Sequence, residues 1–298
     1  MTRVERVLLG TALGDSLGLV FEGLSASRVA KFSPVPLRQR LFLGRGALSD
    51  DTLQSIFVAQ AIRHHPDDPA AAARFLGRRL RRWFWTLPPG IGLSTAKACL
   101  GLTVGIQNSG VPSAGNGSAM RSAVVGVMID DPDARDAMVE TLSRITHTHP
   151  AAILGAQLVA FAAACGDPLV FDELAPSRYP SWDFSASFRS RGPTGYVVET
   201  VQAALAVWRT HPRDAVAAIE AALRLGGDTD SVAAIVGGLV GAGAEVSATP
   251  ELTSWIGWPQ ANELLSDSVP WGRVHLAHAL ALPVVLGHGF RRMLPPYG

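Results

Sequence analysis

Between Val232 and Ala244 the chain runs through Val, Ala, Ile, Leu and Gly alone, and this run restricts the folds open to it. It is too short to span a bilayer, so protein must enclose it. Gly237 and Gly241 have the small-xxx-small spacing that lets helices approach closely. We read a buried central helix. Helical periodicity dominates elsewhere too, and no alternation of apolar and polar residues lasts more than a few positions. The expected fold is all-α. Helices fall at roughly 3–18, 51–63, 68–86, 93–107, 118–129, 133–145, 149–165, 194–210, 212–224, 229–243 and 272–285.

Two acidic motifs stand at the heads of apolar runs. Ser49-Asp50-Asp51-Thr52 precedes one, and Gly226-Gly227-Asp228-Thr229-Asp230-Ser231 opens the central helix. Each reads equally as a helix N-cap, whose oxygens satisfy free backbone N–H groups. A cap needs only one acceptor, however, and each motif supplies two carboxylates. Together they offer four aspartates, an oxygen-only set suited to hard cations such as Mg²⁺ or Mn²⁺. Carboxylates would also offset the helix dipole, which opposes a cation at an N-terminus.

Weaker islands accompany them. Gly10, Gly14 and Gly18 share one helix face, and helix packing is the reading we favour. Asp15 among them must be paired or capped if buried. Glu22, just beyond, is either a solvated loop carboxylate or a group facing the site. The small residues of Ser113–Arg121 lead into a helix and suit either a turn or a phosphate at a helix N-terminus. His147 and His149 read as substrate-binding or as capping and surface residues.

Residues 166–195 are rich in Pro, Ser and Arg without sustained period, as in a functional lid or ordered excursion. A linker is the alternative, but the acidic motifs on either side of it must meet. A single domain over 1–298 is therefore expected. Arg74, Arg78, Arg79, Arg81 and Arg82 adjoin Trp83-Phe84-Trp85. We read a solvated basic face with the aromatics turned inward, since a net charge of +1 gives no general bias toward nucleic acid or anionic membrane. Arg3 and Arg6 before Val7–Leu13 superficially resemble a secretory signal, but Asp15 interrupts the run and no small-x-small cleavage site follows. Cys99 and Cys165 are too few for a disulfide framework. A cytoplasmic protein without a membrane span is expected.

Taken in order, Gly-Asp-x-Leu-Gly with a following Glu, Ser-Asp-Asp-Thr, Gly-Asn-Gly-x-Ala-Met-Arg, Thr-His-x-x-Pro and Gly-Gly-Asp-Thr-Asp-Ser resemble the ADP-ribosylglycohydrolase family. The likeness runs from Gly10 to about Ala244. It implies a compact multi-helix domain with a binuclear Mg²⁺ or Mn²⁺ centre in a central cleft. Ser49, Asp50, Asp51, Asp228, Asp230 and Ser231 would be the ligands, with Thr229 turned away. Asn116, Gly117, Ser118 and Met120 would lie along ADP-ribose, and His147 would approach its phosphates or ribose. Glu22 matches a glutamate that moves with substrate and gates the metals in some members. Ser49 and Ser231 replace frequent threonines, which bears on substrate preference.

The reaction so implied is metal-dependent hydrolysis at C1 of the distal ribose, releasing ADP-ribose from an ADP-ribosylated protein, nucleic acid or small molecule. Glu22, Asp50 or Asp51 would handle the proton, and the sequence does not choose among them. Two other readings are a non-catalytic ADP-ribose-binding or crystallin-like relative and a different Mg²⁺-dependent hydrolase such as a nucleotide phosphatase. Retention of all six ligand types argues against the first, and the lack of a phosphatase nucleophile motif against the second.

Overall fold

The computed structural model describes residues 1–32, 36–185 and 192–293. Its helices are α1 (Arg3–Gly18), α2 (Ala26–Phe32), α3 (Asp50–His64), α4 (Pro69–Phe84), α5 (Leu93–Thr103), α6 (Ala123–Gly126), α7 (Pro132–Ser143), α8 (Pro150–Cys165), α9 (Pro168–Arg178), α10 (Val197–Thr210), α11 (Ala215–Arg224), α12 (Thr229–Gly243) and α13 (Trp271–Met293). A 3-10 turn spans Asn116–Arg121. Two-residue strands β1 (Leu24–Ser25) and β2 (Gly226–Gly227) pair antiparallel. The all-α expectation holds, with this ribbon as a small addition.

The apolar run becomes the axis of the fold. α12 is buried from Thr229 to Ala242 and touches α1, α3, α6, α8, α10 and α11. Each fully enclosed Val, Ile or Leu on it contributes about 1.5–3 kcal/mol of burial. α1 runs antiparallel to it in backbone contact. A Cβ at Gly10 would lie 2.0 Å from the Gly237 carbonyl oxygen, and one at Gly14 equally close to that of Ala233. At the end of this seam Gly18 meets Asp230, where a Cβ would stand 2.5 Å from the Asp230 Cα. The glycine face is thus a packing face. It sets the C-terminus of α1 against the N-terminus of α12.

Caps account for most helix starts. Asp68, Asp131 and Asp214 accept from Ala71, Ala134 and Ala217, and His149 Nδ1 accepts the Ala151 amide at 3.1 Å. Several differences from expectation follow from local chemistry. The predicted 118–129 helix is the 3-10 turn followed by the short α6. Residues 166–195 include α9, which Gly166 in the left-handed region, Asp167 as cap and Pro168 at the first position all announce. Residues 186–191 of that segment lie outside the described residues, as do 33–35 and 294–298. Of the aromatic trio, Trp83 is fully buried but Trp85 is 56% exposed, so not every ring turns inward. No described helix is long and apolar enough to cross a membrane.

Candidate metal and substrate site

Three devices bring the acidic motifs together. The α1–α12 seam comes first, and Thr229 fastens it by donating its hydroxyl to the Gly18 carbonyl at 2.9 Å. Thr229 is therefore occupied and buried rather than aimed at a ligand. The β1–β2 ribbon is second. Gly23 N–H reaches the Gly227 carbonyl at 2.6 Å, holding the Glu22 turn beside Asp228. Left-handed φ values of 70° and 75° at Gly226 and Gly227, with backbone pressed against both, require glycine there.

Asp15 is the third device. Its Oδ2 accepts the Ser49 amide at 2.9 Å, the Thr52 amide at 3.1 Å and the Thr52 hydroxyl at 2.5 Å. A carboxylate from α1 thus caps α3 across the fold, beside Ser49 as the local N-cap. This satisfies one oxygen of Asp15 in its apolar surroundings, while its Oδ1 is buried without a hydrogen-bond partner. Together the three devices place both acidic helix starts at the C-terminal end of α1.

The electrostatics bear the mark of this crowding. Burial, then Asp15, Glu22 and Asp228, push the Asp50 carboxyl up to about 8. Burial and Asp50, Asp15 and Asp228 hold Asp51 well above the usual carboxylate range; burial with Glu22, Asp228 and Asp51 does the same for Asp230. Burial also raises Asp15 to about 6, opposed by its bonds to Thr52 and Ser49. Asp51 Oδ1 and Asp230 Oδ1 are buried without a hydrogen-bond partner. Ser49 and Ser231 are also buried at these helix starts.

An all-oxygen set with partnerless buried carboxylate oxygens fits a divalent cation in chemistry. As they stand, no three His, Cys, Asp or Glu side chains among the described residues are grouped closely enough to hold one ion. Closing on a cation would require their side chains to draw together.

The predicted substrate residues divide. Asn116 Nδ2 donates to Asp228 Oδ2 at 2.8 Å and to Thr200 Oγ1 at 3.0 Å, so the glycine loop is tied to the acidic centre. Gly117 faces His147, where a Cβ would stand 2.7 Å from the imidazole Cε1. Ser118 donates to the Ala152 carbonyl at 3.0 Å, and Met120 packs in the apolar core. These two brace the loop from behind. His147 is buried beside the loop, whereas His149 is exposed and caps α8. Burial and, secondarily, Arg121 lower His147 to about 3, which keeps it neutral.

Sequence reading passed over two groups. Arg121 and Gln54 are buried behind the site and hydrogen-bonded to one another. Tyr196 follows Gly195, whose carbonyl accepts the Asn116 amide at 3.0 Å, and it leaves its ring 46% exposed beside the loop. Position in a named motif was the only signal for Arg121. Tyr196 had none.

Comparisons with known proteins identify the family and the fold. A protein of Archaeoglobus fulgidus is 31% identical, the match covering 89% of this chain and 94% of the relative. The ADP-ribosylarginine hydrolase Tri1 of Pseudomonas putida (strain GB-1) is 30% identical over 90% of this chain and 78% of its own length. The fold matches a solved structure described as an ADP-ribosylglycohydrolase-related protein complex, with a TM-score of 0.69, 24% identity and coverage of 95% of this chain and 97% of that one. The ADP-ribosylglycohydrolase family model matches residues 1–262, and the chain belongs to that family.

Proposed function

We propose that this protein hydrolyses the glycosidic bond at C1 of the distal ribose in an ADP-ribosylated substrate, releasing ADP-ribose. The observation that carries this reading is the convergence of two acidic helix starts with partnerless buried oxygens on Asp51 and Asp230, next to a glycine loop tied to Asp228 by Asn116. Ser49, Asp50, Asp51, Asp228, Asp230 and Ser231 would hold two Mg²⁺ ions, with Mn²⁺ as the alternative. When bound, such ions orient ribose hydroxyls and acidify a water molecule.

The chain's own residues do the rest. Cleavage at an anomeric carbon builds positive charge on the sugar ring, which the clustered carboxylates favour. Glu22, half-buried at the α1–β1 turn, would move the proton, with Asp50 or Asp51 as the alternative. Asn116 and the Gly117 backbone border the space for ADP-ribose, and the neutral His147 serves as a hydrogen-bond partner for its polar oxygens. The Tri1 relative makes arginine-linked ADP-ribose the first substrate to offer.

The test is ADP-ribose release, followed by chromatography, from arginine-, serine-, acetyl- and nucleobase-linked substrates, each with Mg²⁺ and with chelator. Chelator-sensitive release from one linkage is expected. Saturable ADP-ribose binding without release from any substrate would replace this reading with that of a binding protein. Release of AMP or phosphate instead would point to a phosphatase.

A further inference from the structure

A chain of buried polar groups runs behind the site and joins Asp50 to His147. Gln54 Nε2 donates to Asp50 Oδ2 at 3.3 Å, and Arg121 Nη1 donates to Gln54 Oε1. Arg121 Nη2 donates to the Leu142 carbonyl at 3.1 Å and to the Thr146 hydroxyl at 2.9 Å. That hydroxyl lies 2.9 Å from His147 Nδ1. Gln54, Arg121, Thr146 and His147 are each at most 2% exposed.

Arginine alone sets the direction of this chain, because it carries donors and no acceptor. Its bond to Oε1 fixes the Gln54 carboxamide with the amide N–H groups toward Asp50. Its bond to Thr146 occupies an acceptor lone pair, so the Thr146 proton must go elsewhere. Two acceptors are in reach, the Ser143 carbonyl at 3.5 Å and His147 Nδ1 at 2.9 Å, but the carbonyl already accepts the Thr146 and His147 amides at 3.0 and 2.8 Å, which fills both its lone pairs. His147 Nδ1 then accepts, which puts the imidazole proton on Nε2. That nitrogen faces the glycine loop, where a Cβ at Gly115 or at Gly117 would lie 3.2 Å away.

We infer that Arg121 is a positioning residue that sets the polarity of this chain, orienting Gln54 toward Asp50 and holding His147 as an Nε2–H donor. For ADP-ribose this supplies a donor, where the opposite tautomer would present a lone pair to oxygens that also carry lone pairs. The use of that donor rests on the function proposed above, but the tautomer itself does not. Burial supports the assignment, since it lowers His147 to about 3 and leaves one ring proton to place at neutral pH.

The test reads the tautomer directly by ¹H–¹⁵N long-range correlation NMR on the whole protein at pH 7 without substrate, with His147→Gln identifying the His147 signals. Wild type is expected to show the Nε2–H form alone. Thr146→Val keeps the side-chain shape but removes the hydroxyl, and Arg121→Met frees that hydroxyl to turn; both are expected to give a mixture with Nδ1–H. An Nδ1–H ring in wild type overturns the inference, and so does an unchanged Nε2–H ring in folded Thr146→Val. An unchanged Nε2–H ring in folded Arg121→Met overturns the positioning role of Arg121, and an Nδ1–H ring in wild type overturns the inference even if that variant does not fold. A protein that shows the Nε2–H form but releases no ADP-ribose would refute the enzymatic reading and leave this one intact.

Discussion

The carboxylate of Asp15, on the first helix, accepts the Thr52 hydroxyl at 2.5 Å and the Thr52 amide at 3.1 Å. It is fully buried, as is Thr52. A residue outside both acidic motifs therefore dictates where one of them begins its helix. The end of α1 is pinned to α12 by Thr229, so a single rigid element sets both halves of the proposed metal centre.

Replacing Asp15 should damage stability and site geometry together. Asp15→Ala leaves the Ser49 and Thr52 amides and the Thr52 hydroxyl without their shared acceptor in a dry interior. The expected loss is about 2–4 kcal/mol, from bonds to a charged acceptor and a lost cap. Urea denaturation measures it. Asp15→Asn keeps an acceptor oxygen, so it should recover part of the stability. A loss below about 0.5 kcal/mol, the range of ordinary surface changes, would show that the cap is dispensable.

The crowded carboxylates predict an unusual pH response in chelator. Asp50 is raised to about 8, and Asp51 and Asp230 well above their ordinary range. The folded chain thus keeps protons that the unfolded chain has released, and stability must fall as pH rises through this window. Below about 6.5 the sign is mixed. His147 and His278, lowered to about 3 and about 4 by burial, favour unfolding on acidification, against the gain from Asp15 and the three crowded carboxyls. Between pH 7 and 9 the carboxyls dominate. The urea midpoint should drop across that range without metal, and saturating Mg²⁺ should shrink the drop by binding the deprotonated form. A flat profile in chelator would mean that these carboxylates are not buried together.

Much of this was legible in the sequence. The apolar run after Asp228 required an enclosed helix, and Gly10, Gly14 and Gly18 announced a close-packed face. What escaped notice was either short or long-range. The β1–β2 ribbon is two residues per strand, too few for any period to register. The start of α9 was written in Gly166-Asp167-Pro168, but the Pro- and Ser-rich sequence after it masked the signal. The need for a partner at Asp15 was legible and the partner's identity was not, because Thr52 lies 37 residues away. The Arg121 network joins α3, the 3-10 turn and the segment before α8, and a sequence does not display such a meeting.

The glycine seam sets a steep penalty on one added methyl group. At Gly10 a Cβ would stand 2.0 Å from a backbone carbonyl oxygen of α12, and backbone cannot turn aside as a side chain can. Gly10→Ala should therefore cost about 3 kcal/mol, at the upper end of core overpacking. Its melting temperature should fall by roughly 6–12 °C, extending the values for slightly smaller chains. Gly272→Ala on α13 is the control, since nothing lies within 4 Å of its Cβ position. Equal melting temperatures for the two variants would contradict the backbone contact.

Asn116 offers a way to separate orientation of the acidic centre from contact with substrate. Its Nδ2 is shared between Thr200 and Asp228, so it acts on the site as a donor. Asn116→Asp keeps the shape but sets a second carboxylate against Asp228, where repulsion replaces a hydrogen bond. Hydrolysis at pH 8 should fall by about a hundredfold, the scale set by losing a bond to a charged group. A protonated carboxyl regains one O–H donor, so the deficit relative to wild type should narrow as pH falls toward 5.5. Asn116→Ala has no donor to regain, and its deficit should not narrow in that way. The ratio of kcat/KM between wild type and each variant across this range is the measurement. Parallel profiles for the two variants would show that Asn116 works through substrate contact alone and that its bond to Asp228 is incidental.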